Sequence, residues 1–327
     1  MSHTLGLDIG GANLKAAHVS RTACSRPFEL WRHPERLGIA LRDLLADMPA
    51  FDRLAVTMTG ELCDCFESRR QGVLSILRSV ADLADHANIC VWSQRGFLAL
   101  DAARRDPLAV ASANWMALAR FACRFVPGGC GLLLDIGSTT TDLVPLHDGR
   151  PVPRALADAD RLRGLELIYT GVRRTPLCAI LGTGVAAELF ATTQDVYLLL
   201  EMLPENPDDR HSADGRPATR SAARARLARM LCGDAETIPR QEIDRLVDRV
   251  RQRQVYQLSM AFEHVSRSLP ALPTTAVLAG EGEFLGRLVL ARQNCFSGDT
   301  IVSLNEQLGA EISRAACAYA VAVLADE

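Results

Sequence analysis

Residues 131–149 read GLLLDIGSTTTDLVPLHDG. An apolar run ends in Asp135, turns at Gly137, passes the hydroxyl residues Ser138, Thr139, Thr140 and Thr141, meets Asp142 and becomes apolar again. The N-terminus repeats the pattern in residues 5–17, LGLDIGGANLKAA. Leu5 aligns with Leu132, Leu7 with Leu134, Asp8 with Asp135, Ile9 with Ile136 and Gly10 with Gly137, a constant offset of 127 positions (135 − 8). Apolar runs flank each glycine turn, at 4–9 and 14–19 and again at 132–136 and 142–146. They predict strand, tight turn, strand in both places. His147-Asp148-Gly149 predicts a second turn into a further extended piece. A P-loop or Rossmann glycine motif leads from a strand into a helix, whereas these glycines lead into another strand.

Each copy sets an aspartate at the end of a buried strand, followed by a turn with free backbone N–H groups. Such groups make a nest for phosphate oxygens. The candidate donors are Gly10, Gly11 and Asn13 in the first copy, and Gly137, Ser138, Thr139, Thr140 and Thr141 in the second. The hydroxyls add donors without adding charge, which suits an anion. Asp8 and Asp135 are candidate Mg2+ ligands, mostly through water because Mg2+ dehydrates reluctantly. Asp8, Asp135 and Asp142 are also candidate proton acceptors. Lys15 is the one lysine among 36 basic residues, and it brings a point charge suited to phosphate. A third glycine-rich piece, AGEGEFLG at 279–286, adds Gly280 and Gly282. The plain alternative is a pair of ordinary Gly-containing hairpins with threonine favoured in strands. Repetition of the motif, and the third glycine-rich piece, weigh against it.

Between the copies, helices are predicted over 38–47, 72–86, 97–105 and 114–125, with strands over 54–58 and 89–92. This alternation is an α/β pattern. Pro127-Gly128-Gly129 marks a boundary before the second copy. Beyond it, 179–193, 196–203, 221–231 and 241–269 read as helices, with Ile243, Leu246, Val247 and Val250 on one apolar face. Their arginines are expected on solvated faces. Residues 204–220 form a polar loop in which Asp214-Gly215 is a turn and a candidate lid element. A last strand over 276–278 and a closing helix over 307–324 complete the chain.

The length of 327 residues, 48% of them hydrophobic, fits two compact domains. Mean hydropathy is +0.07, and no apolar run reaches the length of a membrane span. A net charge of −3 argues against a nucleic-acid partner. Ten scattered cysteines in a chain of this size point to a reducing, cytoplasmic setting. Only Cys63 and Cys65 are close together, too little for a metal site. Oligomeric state is left open, a homo-oligomer included.

These three motifs in this order resemble the actin–hexokinase–Hsp70 superfamily. Its phosphate motifs match residues 7–15 and 134–142, and its adenosine motif matches 277–282. DIGSTTTDL is most similar to the hydantoinase/oxoprolinase branch. DIGGANLKAA (8–17), VTMTGELCDCF (56–66), ANWMALA (113–119), YTGVRRTP (169–176), AELFATTQDVYLLL (187–200), ADGRPAT (213–219) and LARMLCGD (227–234) resemble the family tied to tetrahydromethanopterin-linked one-carbon metabolism and methylotrophy. Its archaeal members include a methanofuran-biosynthesis synthase. The resemblance implies two actin-like α/β domains, at 1–126 and 127–327, facing a cleft, with a helical insertion at about 187–270. It implies a transferase that joins an aminomethylfuran-methyl diphosphate to the phenol of a tyramine or tyrosine derivative, releasing diphosphate.

Such an enzyme must hold diphosphate and deprotonate or position a phenol. Mg2+ on Asp8 and Asp135, Lys15, and bidentate contacts from Arg173 and Arg174 would meet the first need. Asp142, Asp8 or Glu61 would meet the second. Glu61, Cys63 and Tyr169 are candidates to line the substrate pocket, and Trp115 is a candidate either to stack on substrate or to fill the core. ATP is the superfamily's usual ligand. It keeps open an ATP-dependent small-molecule kinase or hydantoinase-like amidase, and a non-enzymatic nucleotide-binding scaffold.

Overall fold

The computed structural model describes residues 3–83, 87–293, 296 and 300–327. The first sheet contains β1 (Thr4–Ile9), β2 (Asn13–His18), β3 (Ala23–Pro27), β4 (Arg53–Met58), β5 (Asn88–Ser93) and β6 (Gly96–Ala99), in the order β3-β2-β1-β4-β5-β6. Helices α1 (Leu37–Ala46), α2 (Arg69–Ala81) and α3 (Leu100–Arg105) accompany it, and α4 (Asn114–Ala122) leads out of it. The second sheet contains β7 (Cys130–Ile136), β8 (Thr141–His147), β9 (Arg150–Pro151), β10 (Leu167–Ile168), β11 (Thr275–Ala279) and β12 (Ile301–Ser303). Its main path is β10-β8-β7-β11-β12, with β9 paired to β8.

Five strands of each sheet follow one plan. β1 pairs antiparallel with β2 and parallel with β4, which is parallel to β5. β7 pairs antiparallel with β8 and parallel with β11, which is parallel to β12. This duplication is the actin/hexokinase/Hsp70-like architecture. The residues between β10 and β11 form α6 (Leu177–Leu181), α7 (Thr193–Leu199), α8 (Arg220–Met230) and α9 (Arg240–Ser266), after α5 (Asp158–Arg163). The chain closes with α10 (Glu283–Leu290), α11 (Leu304–Leu308), α12 (Ala310–Arg314) and α13 (Ala316–Asp326). Among the described residues no helix is long and apolar enough to cross a membrane.

The two halves share a core. Helix α4 packs toward β8 and β9 of the second sheet, whereas α13, at the chain's end, lies on β1, β2 and β4 of the first. The two helices also pack on each other. One buried cluster therefore holds Ala17 and Ala55 of the first sheet together with Leu133, Val144 and Val277 of the second. The sequence of α13, ACAYAVAVLAD, is rich in alanine because the backbones approach closely there. At Gly6, a Cβ would overlap the carbonyl oxygen of Ala318.

Several predicted elements are redrawn by local chemistry. The helix predicted over 97–105 is β6 followed by α3. The one predicted over 179–193 stops at Leu181 because Gly182 and Gly184 take φ of 71° and 73°. A new helix starts at Thr193, capped by a reciprocal box of Thr192 and Asp195. Gly309, at φ 93°, separates α11 from α12, and Ala315, at φ −107° and ψ 26°, separates α12 from α13. The helix predicted over 72–86 is α2, and 84–86 lie outside the described residues. The face of α9 bearing Ile243, Leu246, Val247 and Val250 is buried. Not every arginine is solvated: Arg226 of α8 is buried and meets Asp195 at 2.6 Å.

Two glycines should respond oppositely to a methyl group. Gly6→Ala should destabilise by about 3 kcal/mol or more, because backbone must move to relieve the overlap with α13. Gly38→Ala in α1 meets nothing within 4 Å and should stabilise by roughly 0.5–1 kcal/mol. Urea denaturation of both variants checks the pair, and a tolerated Gly6→Ala would contradict the packing of α13 on β1.

Candidate active site between two hairpin loops

The two loops close with the same backbone hydrogen bond. Gly10 N–H donates to Asn13 O at 3.0 Å, and Gly137 N–H donates to Thr140 O at 2.9 Å. Outer segments take up the loop carbonyls. Phe28 and Leu30 N–H donate to Ala12 O and Gly11 O, both at 3.0 Å. Val172 N–H donates to Gly137 O at 3.0 Å, while Arg173 and Arg174 N–H both reach Ser138 O, at 3.0 and 2.9 Å. Gly171 permits this contact, since a Cβ there would sit 2.6 Å from Gly137 O and Ser138 O. Among the described residues, the N–H groups of Gly11, Ala12, Ser138 and Thr139 meet no backbone acceptor. Two small N–H nests result, with the hydroxyls of Ser138 and Thr139 3.4 Å apart beside one of them. Thr141 behaves otherwise: it is buried and donates to Thr170 O at 2.7 Å. It braces the hairpin and is not a ligand group.

Register sets the charges. Asp8 lies opposite Lys15, and Asp135 lies opposite Asp142. Lys15 Nζ is 4.0 Å from Asp8 Oδ2. Burial pulls the Lys15 ammonium down, but Asp8, Cys317, Asp135 and Glu281 around it more than reverse this, and the net shift is upward. Burial raises Asp8, opposed by Lys15 and by the side-chain hydrogen bond from Asn114. Asp135 is pushed up to about 7, first by burial and then by Asp142, with Lys15 partly offsetting. Burial also raises Asp142, but Arg161 opposes it through a 2.6 Å ion pair. Arg161 is itself buried, 3.7 Å from the centre of the Trp115 ring. Trp115 is thus a core residue that carries a cation on its face. Asp8 Oδ1 is buried without a hydrogen-bond partner, an oxygen a cation would satisfy. Among the described residues no three His, Cys, Asp or Glu side chains are placed to hold a metal. A Mg2+ ion here would complete its shell with phosphate oxygens and water.

The two arginines after Gly171 part company. Arg173 is held by both oxygens of Glu281, Nε at 2.7 Å, and lies 3.6 Å from Asp209. It ties the turn to the AGEG loop and does not face the cleft as a free clamp. Arg174 stacks over Trp31 of the other half, 4.9 Å from the ring centre, and its charge acts on Cys63. Gly280, at φ 84°, and Gly282 are close-approach residues. A Cβ on Gly280 would lie 2.6 Å from Asp135 Oδ1, and Gly282 N–H donates to Ile136 O at 2.8 Å.

The pocket candidates come from both halves, Glu61 and Cys63 after β4 and Tyr169 after β10. Cys63 lies against Gly11, where a Cβ would be 2.7 Å from its sulfur. Burial, then the Cys65 and Asp64 charges, push the Cys63 thiol up to about 11, so it is a neutral lining group at pH 7. Glu61 is buried, accepting from Ser112 at 2.7 Å and Arg69 at 3.2 Å. Arg69 also reaches Asp158 at 2.9 Å, and Asp158 lies 3.8 Å from Arg161. An ion-pair chain therefore runs from Glu61 across the halves to Asp142. Tyr169 is 62% exposed and lies beside this chain: burial and the charges of Asp158 and Asp142 raise its phenol. The insertion holds that segment in place, because Gln254 donates to Thr170 Oγ1 at 2.8 Å and Gly171 O at 2.9 Å. The 204–220 loop reaches across the cleft through His211, 3.5 Å from Glu29. Asp214 instead anchors that loop on Arg226 at 3.0 Å and Arg229 at 3.3 Å.

Several site residues were not singled out from sequence. Glu281 had a signal, an acid between the two glycines of AGEG. Arg161, Arg69 and Cys317 had none, because ordinary helical positions carry them to the cleft.

Paired sheets of one topology, each with a glycine hairpin that leaves a small N–H nest, make this an actin/hexokinase/Hsp70-like fold. The chain belongs to the hydantoinase/oxoprolinase family, whose model matches residues 52–295. It is 30% identical to the (4-{4-[2-(gamma-L-glutamylamino)ethyl]phenoxymethyl}furan-2-yl)methanamine synthase of Methanocaldococcus jannaschii, over 98% of this chain and 96% of the relative. The protein of that name from Methanococcus vannielii is 28% identical over 63% of this chain and 95% of its own length. Among solved structures, an archaeal actin homologue with ADP aligns at TM-score 0.47 and 12% identity, covering 99% of both chains. The activator of 2-hydroxyisocaproyl-CoA dehydratase from Clostridium difficile with bound ADPNP aligns at TM-score 0.45 and 13% identity, over 98% of this chain and 93% of the other.

Asp135 makes a pH prediction. Its folded pKa lies above the unfolded value, so the native state binds the extra proton. That contribution is full below about pH 4 and is lost as pH rises through about 7. With EDTA present, Asp135→Asn should melt close to wild type at pH 4 and above it at pH 8, by at most about 4 kcal/mol. A melting difference that does not change with pH would contradict a crowded carboxylate there.

Proposed function

We propose that the protein is a synthase of methanofuran-type cofactor biosynthesis, which condenses an aminomethylfuran-methyl diphosphate with a phenol and releases diphosphate. The observation that carries this reading is the end-to-end similarity to the M. jannaschii synthase, because it spans both hairpin loops. The compound in that relative's name contains a phenoxymethyl-furan ether, the bond this reaction would make. The phenolic acceptor carries either a γ-glutamyltyramine or a tyrosine skeleton. The names of the relatives do not favour the ATP-dependent kinase or amidase reading.

The chemistry asks for three services. The C–O bond between the furfuryl carbon and diphosphate breaks, and the electron pair leaves with diphosphate. The N–H groups of Gly11, Ala12, Ser138 and Thr139 would receive it, with Lys15 as a fixed cation and Arg174 at the rim. Preorganised donors aimed at a developing anion are the main source of rate in such sites. Mg2+, when bound by Asp8 with phosphate oxygens and water, would neutralise part of the leaving-group charge. The phenol oxygen forms the new bond, and its proton must pass to a base. Asp135, with a proton affinity near neutrality, suits that task better than Asp142, which Arg161 holds in an ion pair. The exposed Tyr169 and the Trp31–Arg174 stack would flank an aromatic acceptor.

Purified protein with Mg2+, the furan diphosphate and each phenol should give ether and diphosphate without ATP, read by mass spectrometry. Lys15→Met and Arg174→Ala should each lower kcat/KM by about 10²–10³. Product formation only with ATP, or full activity in Lys15→Met, would overturn the reading.

A further inference from the structure

The two sides of the nest region differ in charge. On one side stands Arg174, stacked on Trp31, with no carboxylate partner among the described residues. On the other, the AGEG loop presses Gly280 against Asp135 and sets Glu281 on Arg173, whose own backbone N–H holds Ser138 O of the second loop. Glu281 grips Arg173 with both oxygens, and Asp209 of the inserted loop adds a second carboxylate 3.6 Å from the same guanidinium. Arg173 is thereby neutralised, and this side carries two acids against one base. The inserted loop is itself fixed: Gln194 of α7 donates to Asp209 at 3.3 Å, and His211 meets Glu29 of the opposite half. An anion that fills both nests and extends further meets fixed negative charge in this direction.

We infer that Glu281, assisted by Asp209, is a specificity-determining residue that sets the length of polyphosphate the cleft accepts, admitting a diphosphate ester and rejecting ligands with a third phosphate. The inference rests on the diphosphate reading above and deepens it. Attraction is common to every polyphosphate, so discrimination needs a repulsive element placed where only the wrong ligand reaches. Glu281, held on Arg173, is placed to supply it.

Calorimetric titration with Mg2+ present, using inorganic pyrophosphate, inorganic tripolyphosphate and ATP, tests the proposal. Wild type should bind pyrophosphate at least tenfold more tightly than either triphosphate. Glu281→Gln should narrow that ratio about tenfold, and Asp209→Asn, a milder change on the loop, should narrow it less. Using both triphosphates separates phosphate number from any contribution of the nucleoside. Equal wild-type affinity for pyrophosphate and tripolyphosphate would overturn the inference while leaving the diphosphate reading standing. So would a ratio unchanged in both variants. Failure of wild type to bind any of the three would overturn the diphosphate reading and this inference together.

Discussion

Cross-strand register in the two hairpins is the constraint on which the site depends. A turn closed by Gly10 on Asn13, and its copy closed by Gly137 on Thr140, fixes which side chains face each other. A slip of one residue would turn each side chain to the opposite face of its sheet. The same turns leave N–H groups without backbone acceptors, so one backbone choice produces both the N–H nests and the placement of charge beside them. The neighbouring segments reinforce it. Phe28 and Leu30 hold the first loop and Val172, Arg173 and Arg174 hold the second, each by donating to the loop carbonyls.

The duplication has diverged where charge matters. Asp8 faces a lysine, whereas the equivalent Asp135 faces another aspartate. Like charges directly across a strand pair are destabilising, and the second half relieves this with buried Arg161 on Asp142. Among the described residues Asp135 makes no ion pair, Lys15 only partly offsets its crowding, and its proton affinity lies near neutrality. One half thus supplies a fixed ammonium and the other a carboxylate able to take a proton. The chain Glu61–Arg69–Asp158–Arg161–Asp142 links these halves, so their relative position bears on the charge state of the second hairpin.

The architecture was legible because the decisive signals are local. Gly-turn hairpins, repeated 127 positions apart, located β1, β2, β7 and β8 and the loops between them, and helical periodicity located α9. The short strands β3, β6, β10 and β12 carry no alternation long enough to read, and the glycine breaks at Gly182 and Gly309 act through φ values that a helical pattern conceals. At the site, Asp8, Lys15, Asp135 and Asp142 were legible as types at motif positions. Their unequal roles were not, because these depend on Arg161, Asn114 and Cys317, which reach the cleft from distant helices. Arg173 and Arg174 are adjacent and chemically identical. Only the three-dimensional positions of Glu281 and Trp31 separate them, and Thr141 is distinguished from its neighbours only by its contact with Thr170.

The central claim is that the two loops enclose a diphosphate against Lys15. Because Lys15 is the sole lysine, limited acylation of amines followed by peptide mass spectrometry reads it directly, with the N-terminal amine as internal reference. Pyrophosphate and Mg2+ should suppress labelling of Lys15 relative to the N-terminus, while sulfate at equal ionic strength should not. Labelling of Lys15 that pyrophosphate leaves unchanged would contradict the claim.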